Sequence, residues 1–304
     1  MQTFLPVPDF EDGARLLDSP RLGKQRVETL QILRALGLPD YGWANHPAVL
    51  MWRGRTPALV AYGLAMVRVW RERGFGDSTH AQIAEFAPEV VGVPQVELAA
   101  AGLLPSWVGD DALHRSHRSN LMAKDPAFYR PRFAELFGPE PADLPYVWPG
   151  PDDVPPAPLP DGERVWVVRP PAHAELGVCL AAGVVGLGTE SGVDVDATGL
   201  GPAELRTLAF ELSGRRRAKS VRQLSAFLDE MAPGDRVAVP VEGGAALLIG
   251  EVMGDYVFQG RELLPHRRPT RWERVVPRSA ARPPAALQDP RALFSVILDP
   301  AALG

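Results

Sequence analysis

RLGKQRVETLQIL, residues 21–33, decides the fold of the first half of the chain. Arg21, Lys24, Gln25, Glu28 and Gln31 recur at three- and four-residue spacing and so share one helical face, with Leu22, Val27, Leu30 and Leu33 toward the other. Extended backwards through Leu16 and Leu17, the pattern predicts a helix over 11–36. Residues 56–73 open on Thr-Pro, a good N-cap and first-turn pair, and run through LVAYGLAMVRVW to Arg-Gly. This second helix is apolar around most of its circumference, which predicts a central position. Segments 78–88 and 111–137 read as further helices, the last interrupted at Asp125-Pro126.

Between Pro139 and Gly162 the sequence has nine prolines, five acids and no lysine or arginine, a composition unfit for helix interior or central strand. A linker is therefore expected over 149–162, between domains at 1–148 and 163–304. Beyond it the period shortens. Arg164–Val168, Val184–Gly188, Arg236–Pro240, Ala246–Val252 and Leu293–Leu298 read as strands, with helices over 202–212 and 220–231 between the second and third. The expectation is an α+β multidomain chain: an all-helical first domain followed by a small β-rich, partly open barrel with inserted helices. No repeat period links the halves.

Composition narrows the function classes. The 304 residues are 46% hydrophobic and 23% charged, as in globular proteins. No apolar run approaches the roughly 18 residues of a membrane span, and MQTFLPVPDFEDG lacks the features of a signal peptide, so the reading is a soluble cytoplasmic protein. Cys179 is the single cysteine, which rules out disulfides and cysteine zinc sites and fits a buried inert thiol. The net charge is -5, yet 29 of the 32 basic residues are arginine and they are gathered locally. Segment 21–34 holds four bases against Glu28, 113–132 holds five against Asp125, and 214–222 holds five with no acid. One such run reads as a solvated face; several on an acidic chain favour a polyanionic partner.

The face carrying Glu28 has two readings: a solvated surface laced by a Lys24–Glu28 pair, or a working site. Neighbouring text favours the second. NHPAVLMWRG at 45–54 brings together Asn45, His46, Trp52 and Arg53, and 114–118 reads His-Arg-Ser-His-Arg. His114 and His117, three apart, lack the third and fourth ligands of a zinc site, so no metal is expected. Phosphate-loop, dinucleotide-binding and serine-elbow motifs are absent.

LLDSPRLGKQRVETLQILRAL, GWANHPAVLMWRGRTPALVAYGLAMVRVWRERGF and HRSHRSNLMAKDPAFYRPRF together resemble the pyrimidine-dimer DNA glycosylase family, over about residues 1–148. The resemblance implies an all-helical fold that excises a damaged base and nicks the backbone with no metal or other cofactor. It implies an N-terminal α-amine attacking the sugar C1′, with the assisting glutamate at Glu28. The family's amine belongs to a small second residue; here residue 2 is Gln2, so the amine is assigned to Met1, with Lys24 as the alternative nucleophile. Arg21 and Arg26 would neutralise phosphates beside the lesion, and His46, Arg53, His114, His117 and Arg118 are the further DNA-contact candidates.

ERVWVVRP, GVVGLGTE, PGDRVAVP, LLIGEVMGDYVF and LPHRRPTRWERVVPR resemble the PUA-like domain of modification-dependent restriction proteins, over about 163–300. That resemblance implies a flipped modified base held by Trp166, Tyr256, Phe258 and Trp272, with His266, Arg267 and Arg268 on phosphate. The combined expectation is a glycosylase/AP lyase acting on damaged or modified DNA in repair or defence. The alternatives are a non-catalytic reader of modified DNA and an RNA-binding protein. The sequence leaves the oligomeric state open.

Overall fold

The computed structural model describes residues 1–154, 160–260 and 262–303. Its contacts divide the chain into two compact units, Met1–Leu159 and Pro160–Gly304. Of the expected linker, residues 155–159 lie outside the described residues. The described stretch before them is held on the first unit, where Arg55 Nε donates to Asp152 Oδ2 at 2.7 Å and Ser106 N donates to the same oxygen at 3.0 Å.

The first unit is helical: α1 (Phe10–Leu16), α2 (Ser19–Gly37), α3 (Pro47–Leu50), α4 (Thr56–Glu72), α5 (His80–Ala84), α6 (Gln95–Ala100), α7 (Asp111–Lys124) and α8 (Pro126–Phe137). The single helix expected over 11–36 is in fact two. Asp18 takes an extended conformation and its side chain accepts from Arg21 N at 2.8 Å, capping α2 and ending the run. Asp125 likewise closes α7 and caps α8. Helix α4 is buried along most of its length and packs against both α1 and α2. A Cβ on Gly63 of α4 would sit 2.6 Å from Thr29 Cγ2 of α2. Thr29 is β-branched and wholly buried, so glycine at 63 sets how closely these helices approach.

In the second unit the strands are β1 (Glu163–Val168), β2 (Val184–Leu187), β3 (Arg236–Val241), β4 (Ala246–Val252), β5 (Val257–Phe258), β6 (His266–Pro277) and β7 (Leu293–Leu298). Helices α9 (His173–Ala182), α10 (Pro202–Ser213), α11 (Ala218–Asp229) and α12 (Pro300–Leu303) accompany them. The sheet order is β2-β6-β4-β3-β1-β7, with β5 also on β6; β1 and β3 pair in parallel and the other neighbours antiparallel. Among the described strands this is an open sheet, and no pairing closes it into the expected barrel. Its organiser is β6, which pairs with β2 through His266–Pro269 and with β4 through Thr270–Pro277. Alternation along β1 sends Trp166 and Val168 to a core shared with α10 and α11, and Val165 and Val167 to a second core on the opposite face. Cys179 is buried in α9, and burial pushes its thiol up to about 11. Among the described residues no helix is long and apolar enough to cross a membrane.

Candidate functional site at the amino terminus

Residues 1–8 form no regular secondary structure, so their backbone donors and acceptors must find partners elsewhere. Side chains supply them, most of them from three helices. From α2, Gln25 Oε1 accepts from Phe4 N at 2.9 Å, and its Nε2 donates to Gln2 O at 3.1 Å. From α4, the Tyr62 hydroxyl lies 2.9 Å from Phe4 O and 2.7 Å from Gln25 Oε1. From α7, His117 Nδ1 accepts from Leu5 N at 3.0 Å, His114 Nδ1 lies 2.8 Å from Leu5 O, and Arg118 Nη1 donates to Pro6 O at 2.8 Å. The Tyr146 hydroxyl donates to Thr3 O, and Trp52 Nε1 donates to Thr3 Oγ1 at 3.1 Å. Each such bond contributes on the order of 1 kcal/mol, so together they fix the path of a segment that has no helix or strand to hold it.

The histidine tautomers follow. Gly109 N donates to His114 Nε2 at 3.0 Å, so neutral His114 carries its proton on Nδ1 and donates to Leu5 O. His117 accepts at Nδ1, and burial drives its pKa down to about 3, so it stays neutral and keeps its proton on Nε2. His114, His117 and Arg118 are buried. Their expected place on a DNA surface is therefore corrected: the His-Arg-Ser-His-Arg run grips the protein's own first residues.

At the start of the clamped segment lies a carboxylate. Glu28 is only 6% exposed. Its Oε1 is 3.9 Å from the Met1 amino nitrogen and 3.6 Å from Lys24 Nζ. Its Oε2 accepts from Gln25 Nε2 at 3.2 Å and from Gln2 N at 3.3 Å. Every group around it is a donor, as an ionised carboxylate requires. Lys24 leans in from solvent with 71% of its side chain exposed. Gln25 and Glu28 therefore face inward onto the N-terminal segment, whereas Val27, expected on the apolar side, is exposed.

An aromatic row extends from the clamped segment to the surface. Tyr146 stacks on His117 at 4.3 Å between centroids, Trp148 meets Tyr146 at 4.2 Å, His46 meets Trp148 edge-on at 5.9 Å, and Trp43 meets His46 at 5.7 Å. His46 caps α3 by accepting from Ala48 N. Burial and the Met1 amino group hold its pKa below the ordinary value, against the opposing pull of Glu28. At the outer end Trp43 is 65% exposed, with backbone in the left-handed region at φ 75°. That conformation costs about 1–3 kcal/mol for a bulky residue. Arg53 is exposed and donates to Ala44 O at 3.4 Å, bracing the same turn.

Two arginines of α2 have other duties than those expected. Arg26 pairs with buried Asp77 and lies 4.3 Å over the Trp70 ring, which ties α2 to the start of α5 and removes it from the phosphate-contact set. Arg21 pairs with Asp18 at 2.6 Å and donates to Lys124 O at 3.2 Å, holding the start of α2 to the end of α7. Trp52 is fully buried core. Sequence reasoning placed Gln25 on the Glu28 face without a role and missed Tyr62, Tyr146, Trp43 and Trp148. For the role of the glutamine and for the two tyrosines no local signal existed, because the backbone atoms they hold are distant in sequence. For Trp43 and Trp148 the available signal was tryptophan in polar, turn-rich text.

In the second unit the expected aromatic pocket is also corrected. Trp166 is buried with Nε1 donating to Asp235 Oδ2, and Trp272 Nε1 donates to Cys179 O. The Tyr256 hydroxyl lies 2.8 Å from His266 Nδ1, and Phe258 leans on the same imidazole. His266, Arg267 and Arg268 are buried rather than phosphate-facing. His266 Nε2 lies 2.9 Å from Val193 O, and the two guanidiniums donate to the carbonyls of Leu264, Leu263, Phe227 and Leu228.

Residues 1–83 match the family described as pyrimidine dimer DNA glycosylase. That span includes the clamped segment, Lys24, Gln25, Glu28, His46 and Tyr62, and stops before α7. Residues 176–283 match a domain of unknown function, DUF8426, and the likeness of this part to PUA-like domains has no counterpart among the matches. No curated protein and no solved structure matches the chain.

Proposed function

We propose that the first unit is a DNA glycosylase/AP lyase that removes a damaged or modified base through an amine–imine mechanism, in repair or defence. The observation that carries this reading is the Met1 amino nitrogen 3.9 Å from the buried Glu28 carboxylate, at the head of a segment gripped by side chains from α2, α4 and α7. In the proposed reaction the amine forms a bond to the sugar C1′ while the glycosidic bond breaks and the base leaves with the bonding pair and a proton. Opening of the sugar ring gives an imine between the nitrogen and C1′. Loss of a C2′ proton then forms the C2′–C3′ double bond and expels the 3′ phosphate. Glu28 takes the amine proton, opposes the positive charge developing at C1′ and passes protons on during elimination.

Trp43 and Trp148 suit the substrate side of this chemistry, because an extrahelical base needs an apolar ring to replace its lost stacking. Lys24 is the second candidate nucleophile, favoured by its 3.6 Å approach to the same carboxylate. The test is borohydride trapping on DNA carrying an abasic site, followed by peptide mapping of the adduct. The expected adduct is on the peptide that begins at Met1. An adduct at Lys24 replaces the nucleophile within the same mechanism, and no adduct at all ends the amine–imine reading.

A further inference from the structure

In the second unit the turn between α10 and α11 gathers cations. From Leu212 to Leu228 there is no acidic residue, while Arg215, Arg216, Arg217, Lys219 and Arg222 fall within that stretch. Elsewhere in this unit four surface arginines are neutralised: Arg236 by Glu273 at 2.5 Å, Arg271 by Glu251 at 2.6 Å, Arg291 by Asp289 at 2.6 Å, and Arg282 by Asp299. Arg206, Arg215, Arg216 and Lys219 are exposed and make no ion pair among the described residues. Concentrating like charge without counter-charge disfavours the folded state. A polyanion bound there would relieve that repulsion.

The turn also borders a concavity. Arg206, Thr207, Phe210, Arg216, Arg217 and Val221 line a depression of about 460 Å³ between the two helices. Phe210 is 53% exposed, an aromatic ring left in water beside the guanidiniums. The floor is stiff. Arg217 Nη1 donates to Glu190 O at 3.0 Å, and a Cβ on Gly192, itself at φ 81°, would come within 3.0 Å of the Ser213 side chain and 3.2 Å of Arg217 Cδ. Arg217 Nε is buried with no partner, so one donor at this wall is unused. The acids on α10, Glu204 and Glu211, are outside the lining.

We propose that this surface binds a strand of DNA, with phosphates on Arg206, Arg216 and Lys219 and an unstacked base on Phe210. A single small anion would use one or two guanidiniums and no exposed ring. Cations spread from α10 across the turn onto α11 match a ligand with repeated charge, and the phenylalanine matches one that also offers π-faces. The proposal rests on the reading of the first unit for the choice of nucleic acid, and it gives the second unit a grip that does not require recognition of a lesion.

The experiment measures fluorescence anisotropy of the full chain with an undamaged labelled single strand across a salt series. Arg206→Gln/Arg216→Gln is expected to weaken binding at least tenfold and flatten the salt slope by roughly two of the protein's contacts. Phe210→Ala is expected to weaken binding about fivefold or more at unchanged slope, with Phe210→Trp restoring it. All three side chains are exposed, so the fold should survive, and circular dichroism verifies that. Wild-type affinity in both the double variant and Phe210→Ala overturns the proposal. So does displacement of the strand by inorganic phosphate or poly-glutamate at equivalent charge, which would make the surface a general anion seat. Because the strand has no lesion or abasic site, a failure of imine trapping leaves this result unaffected, and the reverse also holds.

Discussion

His114-Arg115-Ser116-His117-Arg118 on α7 and Arg215-Arg216-Arg217-Ala218-Lys219 between α10 and α11 are equally dense in basic side chains, yet they have opposite fates. In the first run, His114, His117 and Arg118 are buried and bonded to the Leu5 amide and the Leu5 and Pro6 carbonyls. In the second, Arg215, Arg216 and Lys219 stand in solvent without counter-charge among the described residues. The difference lies in what each run faces. An irregular segment entering a core brings backbone groups that must be hydrogen-bonded, and it draws in polar side chains that would otherwise face solvent. A turn joining two surface helices makes no such demand. A basic run therefore marks a ligand surface only where the fold has left its donors unused.

The largest expected effect tests whether the clamped amine serves chemistry. Glu28→Gln keeps the shape of the side chain while removing its charge, so strand cleavage should fall by roughly 10²–10⁴-fold with DNA affinity within a few-fold. Single-turnover cleavage of abasic-site DNA measures this. Undiminished cleavage would remove Glu28 from the mechanism.

Next comes the clamp. His117→Ala leaves Leu5 N unpaired and opens a cavity, so it should destabilise the first unit by about 1–3 kcal/mol and lower trapping yield at least tenfold. The clamp also has a pH signature. In the folded protein the His117 pKa is about 3, below its ordinary value near 6.5, so between these values the unfolded chain binds more protons. Stability should therefore be full above about pH 6.5 and fall as pH drops through that window, by up to about 1.4 kcal/mol per pH unit from this group. Thermal melts from pH 7 to pH 4 in wild type and His117→Gln should differ in slope; parallel curves would show that His117 is not the group responsible.

Trp43→Ala should cost about tenfold on DNA containing the base to be removed and nothing on a preformed abasic site, where no base remains to stack. Equal losses on both substrates would make Trp43 a prop for the His46 turn instead. The smallest effect compares two arginines directly. Arg26→Gln, which breaks a pair inside the fold, should lower the melting temperature by a few degrees and leave the salt slope of DNA binding unchanged. Arg216→Gln should do the reverse, flattening the slope by about one unit at constant stability. If Arg26→Gln flattens the slope, its guanidinium leaves Asp77 to bind DNA and the distinction drawn above fails.

Much of the architecture was legible in sequence because it depends on local periodicity. The 3.6-residue spacing of 21–33, the apolar circumference of 56–73 and the β-branched run at 164–168 correspond to α2, α4 and β1. Strand β6 was not legible. HRRPTRWERVVP carries four arginines, and those at 267 and 268 are buried only because distant carbonyls receive them. The break at Asp18 was missed because a capping aspartate inside an apolar pattern looks like one more polar position.

By itself the sequence marked out α2, α4 and β1 and the local gathering of charge, and through family resemblance it pointed to Glu28. Tertiary structure alone decided which polar residues turn inward. Gln25, Tyr62, His114, His117 and Tyr146 come from positions up to 143 residues away from the backbone they hold, and no local pattern records such a partner. The reason is physical: burial of a polar side chain is governed by whether a distant group completes its hydrogen bonds, and that is a property of the packed chain.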